Sequence, residues 1–194
     1  MSKQLKVGEV RERIWTTLMK ERALAYPYPA FGHHPNFRGA AQAANLLLPE
    51  LLAKNLLKPG DTVLSYPDYV LKGLRKGLLE ANINVVVPGK HKGYRLLEST
   101  KVKPARVSSI AGAEKEGIKL DAPPPVSLTF IACVALTKTG DLLTKGYGFS
   151  LPPEVRGLPS FSVAHPLQVL DGLPEADAHV TAFATPGEVV WCSE

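Results

Sequence analysis

Cysteine is scarce in this chain: 194 residues carry only Cys133 and Cys192, too few for the disulfide framework that staples small secreted domains. No apolar run approaches the ~20 residues needed to span a bilayer. The opening Met1-Ser-Lys-Gln is polar and lacks the hydrophobic stretch of a signal peptide. A soluble, cytoplasmic protein is therefore expected. Internal repeats and low-complexity tracts are also missing, which removes repeat architectures. What remains is 45% hydrophobic and 21% charged, and its length suits one domain, residues 1–194, with a sizeable core. A net charge of +5 and a pI near 9.2 are compatible with nucleic acid, a membrane surface or a polyanion such as ATP, and do not choose among them.

Along the chain, Val7, Val10, Ile14 and Leu18 recur at three- and four-residue spacing beside Trp15, with charged residues between them. That is the pattern of an amphipathic helix, and it must stop before Tyr26-Pro-Tyr-Pro29. A loop through His33 and His34 leads into Ala40-Ala-Gln-Ala-Ala-Asn-Leu-Leu-Leu48, a strongly helical composition, with Asn36 as its expected cap. The adjacent histidines point apart in an extended loop, with no cysteine or third histidine near in sequence, so they make a poor metal site. Thr62–Tyr66, Tyr69–Ala81 and Val85–Pro88 read as strand, helix and strand, the pattern of a βαβ unit in a parallel sheet. A short strand is expected at Val107–Ile110, followed by a turn from Gly112 to Gly117. Phe161–His165, His179–Phe183 and Glu188–Trp191 read as closing strands.

The focus of the chain is Val126–Ser150. Val126 to Leu136 is apolar and uncharged, as expected of a central strand covered on both faces. Gly140, Gly146 and Gly148 follow, with Lys138 and Lys145 supplying charge, and a ligand of an open α/β sheet binds at such a strand end. A Gly146-Tyr147-Gly148 turn beside a lysine can cradle phosphate on backbone N–H groups. It has neither the third glycine of a dinucleotide fingerprint nor the Gly-Lys-Ser/Thr ending of a P-loop, so a plain hairpin is the competing reading. Basic stretches at Lys90–Arg95 and Lys101–Arg106 carry no recognised nucleic-acid motif, so nucleic acid is not the expected partner.

Taken in order, Arg11 and Trp15, Pro35-Asn-Phe-Arg-Gly-Ala40, Tyr66-Pro-Asp68, the apolar strand with its glycine loop, His165-x-x-Gln-Val169 and Thr185-Pro186 resemble the 5-formyltetrahydrofolate cyclo-ligase family, especially a divergent branch with a Pro-Asn-Phe-x-Gly-Ala loop. The resemblance covers almost the whole chain. It implies a three-layer α/β/α Rossmann-like sandwich with a mostly parallel sheet, similar to sugar-phosphate isomerases and CoA transferases. It also implies ATP- and Mg²⁺-dependent conversion of 5-formyltetrahydrofolate to 5,10-methenyltetrahydrofolate, or a reaction on a related heterocycle. By residue match, Arg11, Gly140, Lys145, Gly146, Tyr147, Gly148 and Phe149 would bind nucleotide, with Lys145 also the catalytic cation. Asn36, Phe37, Arg38 and Tyr66 would meet the folate-like substrate, and Asp177 would meet the metal. Val7 and Leu151 stand where the family carries a lysine and a second metal-serving aspartate, which leaves a nucleotide- and folate-like-binding protein without cyclo-ligase activity as the alternative.

Overall fold

A computed structural model describes residues 5–192. The expected amphipathic helix is α1, Val7–Lys20, burying Val10, Ile14, Trp15 and Leu18. The alanine-rich helix is α2, Ala40–Ala53. Asn36 does not cap it: Gly39 occupies that position with a left-handed φ of 100°. The Asn36 side chain instead donates to Tyr26 O and accepts from Phe37 N, so it shapes the loop before the helix. The βαβ unit follows as β1 (Thr62–Ser65), a 3₁₀ turn into α3 (Lys72–Glu80), and β2 (Asn84–Pro88), with β1 and β2 parallel as expected.

Two antiparallel strands extend the edge beyond β2, namely β3 (Tyr94–Leu97) and β4 (Ile118–Leu120). Between them, where a strand at Val107–Ile110 was expected, lie two short helices, α4 (Pro104–Val107) and α5 (Ile110–Glu116). Pro104 opens α4 and the Ser109 hydroxyl accepts from Gly112 N to cap α5. A proline at the first helical position and a serine cap outweigh the β-branched residues here. Gly112 therefore lies inside a helix and only Gly117 ends it.

The apolar run 126–136 is not one strand. It forms β5 (Thr129–Phe130) and then β6 (Ala135–Thr137), which belong to different sheets. The remaining strands are β7 (Asp141–Leu143), β8 (Ser160–Val163), β9 (Val169–Leu170), β10 (Ala178–His179), β11 (Ala182–Ala184) and β12 (Val189–Trp191). The expected strand at 179–183 is likewise split between the two sheets. The large sheet runs β12-β11-β8-β5-β1-β2-β3-β4 and the small one β10-β7-β6-β9. From β11 through β2 the large sheet is parallel, and Val63, Leu64, Val85, Val86, Phe130, Phe161 and Phe183 are fully buried in it. Burial on both faces is why these strands read as unbroken apolar runs.

In the small sheet, Leu136 and Leu142 join the main core, while Ala135 and Leu143 join a second cluster built on α1. The small sheet is thus held between the main core and α1. The crossover at residues 131–134 lies outside both ladders, and its carbonyls still need donors. Gln168, fully buried, supplies them: its Nε2 donates to Cys133 O at 3.2 Å and Val134 O at 3.1 Å, while its Oε1 accepts from His165 N. This is the structural work of the His165-x-x-Gln168 pair.

Candidate functional site

Going outward from β1, the chain continues to β2 on one side and to β5 on the other. The carboxyl ends of β1 and β5 therefore form the switch point where open α/β sheets bind ligands. Tyr66 and Asp68 follow β1 directly, and β7 delivers Thr144–Ser150. A cavity of about 400 Å³ opens here, lined by Tyr66, Tyr94, Gly148, Ser150 and Glu154 among others. The Tyr66 ring packs 5.0 Å from that of Phe149 and its hydroxyl donates to Ser150 O. Burial first, then the charges near Tyr94 and Asp68, push the Tyr66 phenol far above its ordinary range. At neutral pH it is a fixed neutral donor, not a base.

The glycine loop is tied down from three sides. Asp177 Oδ1 accepts from Thr144 N at 2.8 Å and Oδ2 from Thr144 Oγ1 at 2.6 Å. Arg11 Nε donates to Thr144 O at 2.8 Å, and its guanidinium lies 3.5 Å from Asp177. Lys145 N donates to His34 Nε2 at 3.0 Å, and Gly146 N donates to Thr144 Oγ1 at 3.1 Å. Gly146 has a φ of +83°, the left-handed region that favours glycine, and the Arg11 guanidinium lies 2.8–3.2 Å from where a Cβ would sit. The expectation that the whole loop cradles phosphate is therefore narrowed. The N–H groups of Thr144, Lys145 and Gly146 are spent internally, which leaves Tyr147 and Gly148 as the outward-facing stretch, beside the half-buried Lys145. Tyr147 is 97% exposed.

Gly140 stands apart from this group, in the tight turn between β6 and β7. A side chain there would strike His179 and Val180, so its task is to let the small sheet close. The residues matched to the substrate also separate. Tyr66 lines the cavity just described, whereas Asn36, Phe37 and Arg38 line another of about 540 Å³ with Tyr69 and Lys72. Phe37 is 2% exposed and packs 5.7 Å from His165, so it is a core residue and is not placed to stack on a ligand. Arg38 is exposed.

Sequence reading missed the layer behind the loop. His34 Nδ1 lies 3.0 Å from Asp68 Oδ1. Arg75, 2% exposed, donates to Tyr66 O at 2.7 Å, Asp68 O at 2.9 Å and Ser108 O at 2.9 Å. Burial lowers the Arg75 pKa to about 10, so it stays charged at neutral pH. For Asp68, burial acts upward, but its interactions with His34 first, then with Lys145 and Arg75, outweigh it and hold the carboxyl below its usual range. A carboxyl with a depressed folded pKa contributes stability that is present above the unfolded value and lost as pH falls through the folded one. Between pH 5 and 2, Asp68→Asn is expected to flatten the decline of the unfolding midpoint; an unchanged slope would assign that acid loss to other groups.

Cysteine chemistry is absent from the site: burial lifts the Cys133 thiol to about 12 and Cys192 to about 11, far above a working thiolate. Among the described residues, no three His, Cys, Asp or Glu side chains converge on a point that could hold a metal. Asp177, the residue matched to the metal, has both oxygens engaged by Thr144 and faces Arg11. It is held as the anchor of the loop. In the basic stretches, Arg95 pairs with Glu114 at 2.8 Å and Arg106 with Glu116 at 3.2 Å. Among the described residues, no helix is long and apolar enough to cross a membrane.

No family model matches the chain. Curated proteins do. Methenyltetrahydrofolate synthase domain-containing protein from Mus musculus is 28% identical over 93% of this chain and 54% of its own length. The Bos taurus protein of the same name is 27% identical over 94% and 53%, and that of Danio rerio 26% over 73% and 38%. The chain thus spans about half the length, or less, of the curated relatives it matches. Among solved structures, eIF2B beta from Chaetomium thermophilum is similar over 78% of this chain and 52% of its own, with 13% identity and a TM-score of 0.49.

Proposed function

We propose that this chain, a divergent relative of the methenyltetrahydrofolate synthase domain-containing proteins and so of the cyclo-ligase family, binds a nucleotide phosphate at Lys145–Gly148 and a folate-like heterocycle in the adjoining cavity under Tyr66. The observation that carries this reading is the cavity that Tyr66, Tyr94 and Gly148 line, entered by the same loop that carries Lys145 and packs Arg11 against Gly146. Lys145 and Arg11 give the loop positive charge, and its exposed Tyr147–Gly148 stretch offers backbone amides to an anion. Tyr66 and Tyr94 offer aromatic walls to a flat ring. In the ATP-dependent closure of 5-formyltetrahydrofolate, the formyl oxygen takes the γ-phosphoryl group, and phosphate leaves as the ring nitrogen closes on the carbon. The protein's share of such a transfer is positioning and charge neutralisation, which on this reading falls to Lys145 and Arg11.

A second reading, binding without turnover, is favoured by one feature: Asp177 is committed to Thr144 and Arg11. Thermal unfolding with Mg-ATP, with 5-formyltetrahydrofolate and with both tests the binding first. At a hundredfold excess over Kd, a ligand of the folded state adds about 2.7 kcal/mol, which raises the midpoint of a protein this size by roughly 5–10 °C. Lys145→Ala is expected to abolish the Mg-ATP shift and leave the unliganded midpoint within about 2 °C, since its side chain is half exposed. Growth of methenyltetrahydrofolate absorbance then decides between the two readings. Cooperative melting with no shift from either ligand would overturn both.

A further inference from the structure

We propose that His34 is the positioning residue of the glycine loop and that it holds the loop only as a neutral imidazole. Its side chain is 1% exposed. On one side Lys145 N lies 3.0 Å from Nε2, and on the other Asp68 Oδ1 lies 3.0 Å from Nδ1. A backbone amide can only donate, so Nε2 must present its lone pair. The ring proton is then on Nδ1, donated to Asp68. The tautomer follows from the partners, as it does for other histidines whose second nitrogen is fixed by a carboxylate. Phe149, from the far end of the loop, packs edge-on to the ring at 5.8 Å.

The device links two elements that neither sequence nor sheet joins. Arg75 on α3 fixes the Asp68 backbone at the end of β1, Asp68 orients His34, and His34 receives the amide of the residue whose side chain is proposed to meet phosphate. Protonation of Nε2 would set a donor against a donor and add a positive charge beside Lys145. The charged groups around the ring are Asp68 at Nδ1, Lys145 on the Nε2 side and Arg75 behind Asp68, with Arg11 and Asp177 one residue away, at Thr144. Loop order, and with it phosphate binding, therefore depends on the neutral ring accepting the Lys145 amide.

The order of the loop is measured without ligand, so it stands apart from the nucleotide reading on which only the binding consequence rests. In the unliganded chain at pH 8, nitrogen-detected NMR is expected to show His34 Nε2 unprotonated and Nδ1 protonated. Between pH 8 and 5, where imidazoles titrate, the protection factor of the Lys145 amide should fall at least ~10-fold. His34→Gln offers an amide acceptor that does not titrate, and should keep protection at pH 5 within ~3-fold of its value at pH 8. His34→Phe should lose protection at both. A proton on Nε2 at pH 8, or full Lys145 protection in His34→Phe, overturns the proposal. If the loop behaves as stated and Mg-ATP gives no thermal shift, the nucleotide reading alone has failed.

Discussion

Arg75→Met is expected to lower stability by about 3 kcal/mol, because methionine fills the space but strands buried acceptors, each worth ~1–3 kcal/mol. Ser108 O receives both Nε and Nη2 of Arg75, and no other donor to it is found among the described residues. Tyr66 O keeps a contact with Ser65 Oγ and Asp68 O keeps the Leu71 amide, so these two lose less. For a chain of this length the midpoint of thermal unfolding should drop by roughly 6–12 °C. Arg75→Lys should recover only part of this, since one ammonium cannot reach Ser108 and the Tyr66–Asp68 turn together. The loss also removes a charge that holds the Asp68 carboxyl low, so the variant should become acid-sensitive at a higher pH than the parent. A midpoint within about 2 °C of the parent would mean that water or backbone relaxation satisfies Ser108, and the cross-brace between α3 and α4 would lose its energetic role.

Gln168→Leu should be nearly as damaging, at about 3 kcal/mol, for a related reason. Leucine is close in volume and better suited to an apolar core, so packing alone predicts a neutral change. The carbonyls of Cys133 and Val134, however, lie where the chain leaves one sheet for the other, and the Gln168 amide is their donor. Gln168→Glu is the sharper control: it keeps the acceptor for His165 N but replaces the amide donor with a carboxylate facing two carbonyls. The expected order of unfolding midpoints is parent, then leucine, then glutamate. A leucine variant as stable as the parent would show that the crossover carbonyls find other donors.

These two residues mark the boundary of what a local reading reaches. Gln168 and Arg75 look like ordinary surface residues in sequence, because nothing in the neighbours of a glutamine or arginine states that it will be buried. Helices α1 and α2 and the β1-α3-β2 unit were legible, since the 3.6-residue and short apolar periods are written in consecutive residues. The strand at 107–110 was misread because a proline start and a serine cap sit among β-formers. Asn36 lost the cap to Gly39, whose left-handed backbone is not marked by composition.

By itself, the sequence determined the α/β class and the order of most elements, and it singled out the glycine loop through Lys145 and Gly146 as the stretch to examine. Only the tertiary structure decided that the run 126–136 serves two sheets, that Phe37 belongs to the core, and that Gly140 closes a turn away from the site. It also decided that Asp177 anchors the loop and that His34 receives it. The reason is physical: apolar periodicity is a local property of the chain, whereas the partner of a polar group is set by packing. Arg11 meets Thr144 across 133 residues and His34 meets Lys145 across 111, separations over which no local pattern specifies a hydrogen bond.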